Sequence, residues 1–421
     1  VGSTALDSNT TGYANVAIGC DAMQTNTEGH SNTAMGENSL ELNTTGDGNV
    51  AIGNTALRAN TTANDNTAVG FSASKCNTTG SQNTAVGMCA LHTNTTCGNL
   101  TAVGYGALKL NSTGTNDTAM GHASLDANTS GSDNVGFGTN TLGANTSGGN
   151  NTAIGSCALQ ANTTASGNTA VGLRTLLANT TGHSNVAVGC GSLVANTTGF
   201  RNVGVGLGSL ASNTEGEYNV GVGKDAGEAT TTGDYNTFLG SFAGFKNTTA
   251  SNNTAVGGLS LLDNTTGADN TAIGSSALES NTTGDSNSAF GYRALCNNTT
   301  ASGNTAVGKS ALVANTTGAS NTAVGQLSLD ANTTGANNVA IGSSALGANT
   351  DGPGNVAVGN SSLAANTTGD NNVGIGLFAL AKNTTANDNV AMGYKALCTN
   401  ITGAGNTAVG CGALLTNTTD N

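Results

Sequence analysis

The chain has 421 residues, of which 63 are Gly, 3% are aromatic and 8% are charged, with no Trp and one Pro, so the large side chains of a conventional enzyme core are missing. A net charge of −13 argues against nucleic acid, whose phosphates need clustered Lys and Arg, and against anionic membrane surfaces. No apolar run is long enough to span a bilayer, and the chain starts at Val1 with no signal-like segment, so any export signal is expected to lie outside it or to have been removed.

Periodicity dominates what remains. A Gly stands at position 2 and at every seventeenth residue through Gly19 and Gly36 to Gly410, with no insertion or deletion. Surface loops tolerate length changes, so a strict period means that each unit keeps a fixed path length, as in a solenoid.

With columns counted from that Gly as zero, column 4 is Leu in most units (Leu6, Leu57, Leu91, Leu414) after a small residue, and it reads as an inward anchor. Column 7 is Asn except at Thr230 and is usually followed by Thr-Thr. The same pattern is an N-glycosylation acceptor. Candidate acceptors are Asn9, Asn43, Asn60, Asn77, Asn94, Asn179, Asn196, Asn247, Asn264, Asn281, Asn315, Asn332, Asn366, Asn383 and Asn417. The alternative is a stacked Asn ladder at a corner, with the amides bonding their equivalents in neighbouring coils and capping the turn. Column 13 acts as an internal control. It is Asn except at Leu100 and Asp117, yet it forms no acceptor triplet, so Asn is kept at a corner with no glycan to explain it. Equivalent side chains would also sit only about 4.8 Å apart, too close for bulky glycans on every coil.

Column 10 is usually Gly and sometimes Ala, which suits a positive φ or a close backbone approach. Columns 14 to 16 alternate: Thr or Val (Ser288 excepted), then Ala or Gly (Phe238 excepted), then an apolar residue in every unit. This predicts a strand with columns 14 and 16 on the inward face and column 15 on the other. Val188→Asp is then expected to break the stacking and Ser184→Asp to be near neutral.

The fold class that follows is all-β: a parallel β-solenoid, or β-roll, with one 17-residue coil per repeat. About 25 coils run over 1–421 as a single continuous array with no visible caps. Because the array begins and ends in mid-unit, end-to-end stacking is an expected mode of growth.

Chemistry-bearing residues are scattered. His30, His92, His122 and His183 and most acids fall in variable columns, as on a solvated face, so no catalytic constellation, metal site or cofactor is expected. Cys20, Cys76, Cys89, Cys97, Cys157, Cys190, Cys296, Cys398 and Cys411 never share a column in consecutive coils, which argues against a disulfide framework. They read as free thiols or as crosslinks between chains. Aromatics gather at Phe200, Tyr218, Tyr235, Phe238, Phe242 and Phe245, where the column-4 Leu gives way to Gly227 and Gly244. Two readings stand for this cluster: Phe filling the space left by Leu, or a contact patch for a partner or glycan made by Tyr218, Tyr235, Phe238, Phe242 and Phe245.

The strings Asn15-Val-Ala-Ile-Gly19 and Asn338-Val-Ala-Ile-Gly342 resemble the N-S-V-A-I-G core of trimeric autotransporter adhesin heads, and the 17-residue array looks like those of phage- and virus-type tail fibres. The resemblance covers the whole chain but departs in period, since the adhesin repeat is shorter. It implies a left-handed β-roll and trimeric association, with the Ala/Gly column facing either another chain or solvent. The expected function is a rigid extracellular rod or filament, with an adhesin or viral tail-fibre shaft binding a host surface or carbohydrate as the alternative. The expected partners are copies of the chain, end to end or lateral, and surface carbohydrate, with no nucleic acid and no membrane insertion. The expected location is outside the cell or on a cell or virion surface.

Overall fold

The computed structural model describes residues 1–420. They fall into two units, Val1–Gly208 and Ser209–Asn421, built on one plan. The first unit carries three-residue strands from β1 (Val16–Ile18) to β12 (Val203–Val205), and the second from β13 (Val220–Val222) to β24 (Thr407–Val409). Each coil of seventeen residues contributes one strand, and neighbouring strands pair parallel with a one-coil offset, as in Val16↔Thr33, Ala17↔Ala34 and Ile18↔Met35. No helix interrupts the described residues. Each unit is the parallel β-solenoid that the period predicts.

Between strands the backbone still bonds from coil to coil. The Leu57 N–H donates to the Ala73 carbonyl at 3.0 Å, and Thr61 N–H to Thr78 at 3.0 Å. Non-strand segments are therefore satisfied by the next coil rather than by water, which lets such thin coils hold together.

The founding Gly is required twice over. Gly274 sits at φ +133°, and a Cβ there would lie 2.5 Å from the carbonyl oxygen of Gly291, its equivalent in the next coil. That combination of backbone angle and contact admits no side chain, which is why the Gly recurs without exception.

The strand faces are the reverse of the expectation. Column 15 is the inward one: Ala34, Ala187 and Ala272 are fully buried. Columns 14 and 16 point outward, and Val188, expected inside, is 36% exposed. The Ala/Gly column accordingly faces neither another chain nor solvent. The reason is volume. The narrow interior already holds the column-4 Leu and the amides of columns 7 and 13, all buried, so the strand can add only a methyl or a hydrogen.

Leu at column 4 is the anchor the sequence suggested, but in an unexpected conformation. Leu57, Leu91, Leu278 and Leu346 have φ near +50°, in the left-handed region. Such a backbone costs a β-carbon residue about 1–2 kcal/mol. Burying a Leu side chain contributes about 1.5–3 kcal/mol, so burial outweighs the strain. Columns 2 and 12 are also left-handed, as at Thr55 and Asp65, giving three such residues per coil where turn chemistry alone would call for Gly or Asn. Column-10 Gly residues such as Gly46 are not in that region. Their requirement is close approach, since a Cβ on Gly46 would lie 2.5 Å from Asn43 Oδ1.

Candidate functional surfaces

Two ladders of amides line each unit. In column 7, Asn60 Nδ2 donates to Asn43 Oδ1 at 2.9 Å in the preceding coil and to the Ala63 carbonyl at 3.1 Å across its own turn. Asn281 repeats this with Asn264 Oδ1 at 2.8 Å and the Gly284 carbonyl at 3.0 Å. The candidate acceptors Asn43, Asn60, Asn77, Asn94, Asn179, Asn196, Asn247, Asn264, Asn281, Asn315, Asn332, Asn366 and Asn383 are all fully buried, whereas Asn9 and Asn417 are part-exposed. Both hydrogens of a ladder Nδ2 are thus committed, one along the stack and one to the turn.

Column 13 works differently. Asn270 Nδ2 donates to the Gly284 carbonyl of the next coil at 2.8 Å, while Asn253 Oδ1 accepts the Asn270 backbone N–H at 3.0 Å. Each side chain thus clamps two coils. Outside these ladders, column-8 Thr hydroxyls reach the next coil, as from Thr265 Oγ1 to the Thr282 carbonyl at 3.0 Å.

Asp117 interrupts the column-13 ladder and is fully buried. Its Oδ1 accepts the Asn134 N–H at 2.8 Å, and its Oδ2 accepts from Asn128 Nδ2 at 3.1 Å. The loss of hydration pushes its carboxyl up to about 7, against which the hydrogen bonds from Asn134 act only in part. In the coil before it, Leu100 holds the same column, also fully buried.

The aromatic cluster divides. Phe238 is fully buried at column 15, so it is a core residue and presents nothing to a partner. A Cβ on Gly227 would lie 2.5 Å from its ring, and one on Gly244 would overlap it. The Phe thus occupies the volume of two missing Leu side chains. Tyr218 and Tyr235 stack along the coil direction with centroids 4.9 Å apart, and Tyr235 is 58% exposed. Phe242 meets Phe245 edge-on at 5.5 Å and lies under the Lys224 ammonium at 5.0 Å.

His30 stacks on Tyr13, His122 on Tyr105 and His183 on Phe200, each pair holding one column in consecutive coils. Burial lowers the basicity of His92, with Lys75 and Lys109 adding to the effect. All nine cysteines are free, with Cys97 and Cys296 buried. Among the described residues, no group of three or more His, Cys, Asp or Glu side chains is placed to hold a metal ion, and no helix is long and apolar enough to cross a membrane.

The outward strand face is an exposed apolar surface. Column 16 places Ile18, Met35 and Ile52 in register in the first unit, and Ile273, Phe290 and Val307 in the second, each exposed by about two-fifths. Column 1 adds Phe71, Met88 and Tyr105 beside it. The sequence pattern hid this surface, because column 16 reads from it as part of the core.

No protein-family model matches the chain, and no curated protein is similar to it.

Proposed function

We propose that the protein is a structural element of an extracellular fibre and that its coils associate laterally with other copies through the outward strand face. The observation that carries this reading is the in-register row of large apolar side chains at column 16, such as Ile273, Phe290 and Val307, on a surface made of rigid parallel strands. Contiguous exposed apolar rows on soluble proteins mark association surfaces. A second copy is the partner whose coil spacing matches that row along its whole length. The scattered His, Cys and acids support a non-catalytic role.

Sedimentation velocity on the wild type and on a triple variant, Ile273→Lys, Phe290→Lys and Val307→Lys, tests the proposal. The wild type should sediment as an oligomer and the variant as a monomer with unchanged β-sheet circular dichroism. A monomeric wild type, or a variant that still assembles, would sink the lateral contact.

The second reading is adhesion to carbohydrate, supported by the Tyr218–Tyr235 stack, in which the exposed Tyr235 ring offers a flat face suited to a sugar ring. Loss of glycan-array binding in Tyr235→Ala would favour it. A glycan on a column-7 Asn would replace one Nδ2 hydrogen, breaking one of the two bonds of its rung, and would have to enter a closed interior, so the burial of that column supports its role as a ladder.

A further inference from the structure

Column 13 obeys one rule at Asn83, Asn134, Asn168 and Asn270: the side-chain Nδ2 donates to the column-10 carbonyl of the next coil, at 2.8 to 2.9 Å. The partner of residue 117 under that rule is the Gly131 carbonyl. An ionised Asp has no hydrogen to offer there. The Gly131 carbonyl keeps only its ordinary column-7 bond from Asn128 Nδ2 at 2.9 Å, while that Nδ2 is also drawn to Asp117 Oδ2 at 3.1 Å and its bond to Asn111 Oδ1 stretches to 3.5 Å. Leu100 deepens the defect, because it has no side-chain oxygen for the Asp117 N–H, whereas Asn83 Oδ1 accepts the Leu100 N–H at 3.1 Å.

We propose that Asp117 is protonated in the folded chain and that its proton supplies the missing ladder hydrogen, making the coils around it a pH-sensitive joint. The neighbouring charges favour this. Asp133, one coil further on, repels a carboxylate at 117, and the other group coupled to it is the Cys97 thiol, itself shifted upward mainly by burial.

The direction follows from linkage. The buried acid holds its proton more tightly than the opened chain does, so local stability is complete below the ordinary Asp value near 4. It is lost as the pH rises towards about 7. One proton is released on opening in this window, so the opening constant should grow about tenfold per pH unit.

Hydrogen exchange at the Asn134 and Val135 amides, corrected for intrinsic rates, reads this opening between pH 5 and pH 7. The wild type should lose roughly fiftyfold in protection over those two units, the slope flattening as the folded acid begins to ionise. Asp117→Asn, the residue that column 13 carries elsewhere, should lose none. The Asn270 amide in the second unit should be level in both proteins. A wild type with no slope, or a slope that survives in Asp117→Asn, would overturn the proposal.

Discussion

The Ser362 hydroxyl donates to the Gly374 carbonyl at 2.8 Å, and a Cβ added to Gly374 would stand 2.6 Å from that same hydroxyl oxygen. The two residues belong to one coil, at columns 3 and 15. Each other coil with Gly at column 15 repeats the pair, as Ser124 with Gly136, Ser192 with Gly204 and Ser209 with Gly221. Where column 15 is Ala, a column-3 Ser turns away: Ser39 bonds Gly36 and Ser260 bonds Gly257, with Ala51 and Ala272 across from them. A hydroxyl pointing inward and a methyl are alternative fillings of one small volume.

Ser362→Ala should therefore destabilise the second unit by about 1 kcal/mol, from a lost hydrogen bond and a small void. Gly374→Ala added to it should recover most of that loss, since the double variant recreates the Ala56/Ala68 coil. Denaturant unfolding of the four proteins in this cycle measures the coupling, and strictly additive effects would refute the shared volume.

Adjacent residues on β11 (Val186–Val188) should behave in opposite ways. Ala187→Asp places a charge in the closed interior and should cost several kcal/mol, enough to unfold its coils. Val188→Asp places the charge on the outward face and should leave the coils folded, with a far smaller drop in melting temperature than Ala187→Asp. Thermal melts of the two variants check the reversed face assignment directly.

Phe238 and the two Gly residues around it should show size compensation. Gly244→Leu alone meets the ring and should destabilise by roughly 1–3 kcal/mol through overpacking. Its backbone is not the obstacle, because Leu occupies the same left-handed angle at Leu261 and Leu278. Phe238→Ala with Gly227→Leu and Gly244→Leu together should return stability close to that of the wild type, as measured by chemical denaturation.

Thr230 breaks the column-7 ladder, and its buried hydroxyl has no hydrogen-bond partner. Asn247 Nδ2 there bonds only the Ala250 carbonyl, at 3.1 Å, without the usual rung below it. Thr230→Asn should restore the rung and raise stability by about 1 kcal/mol, visible as a higher unfolding midpoint.

The sequence by itself determined the coil length, the parallel register, the Leu anchor and the Asn ladders. Each of these is a requirement that recurs from coil to coil with few exceptions: Gly291 admits no side chain on Gly274, and Asn60 needs an amide at Asn43. The tertiary structure decided which side of the strand is inside. Alternation of Thr, Ala and Val is symmetric with respect to the two faces, and hydrophobicity favoured the wrong one. Only the packed coil shows that Leu and two amides leave room for nothing larger than Ala187, which turns Val188 outward and creates the apolar face. The meaning of Asp117 was hidden for a related reason. The sequence marks Asp117 as a departure from the Asn column, but its effect on the ladder depends on the burial that the neighbouring coils impose. The pairing of Ser362 with Gly374 was legible in principle, since every Gly at column 15 has a Ser at column 3, but its cause is a contact between opposite sides of one coil.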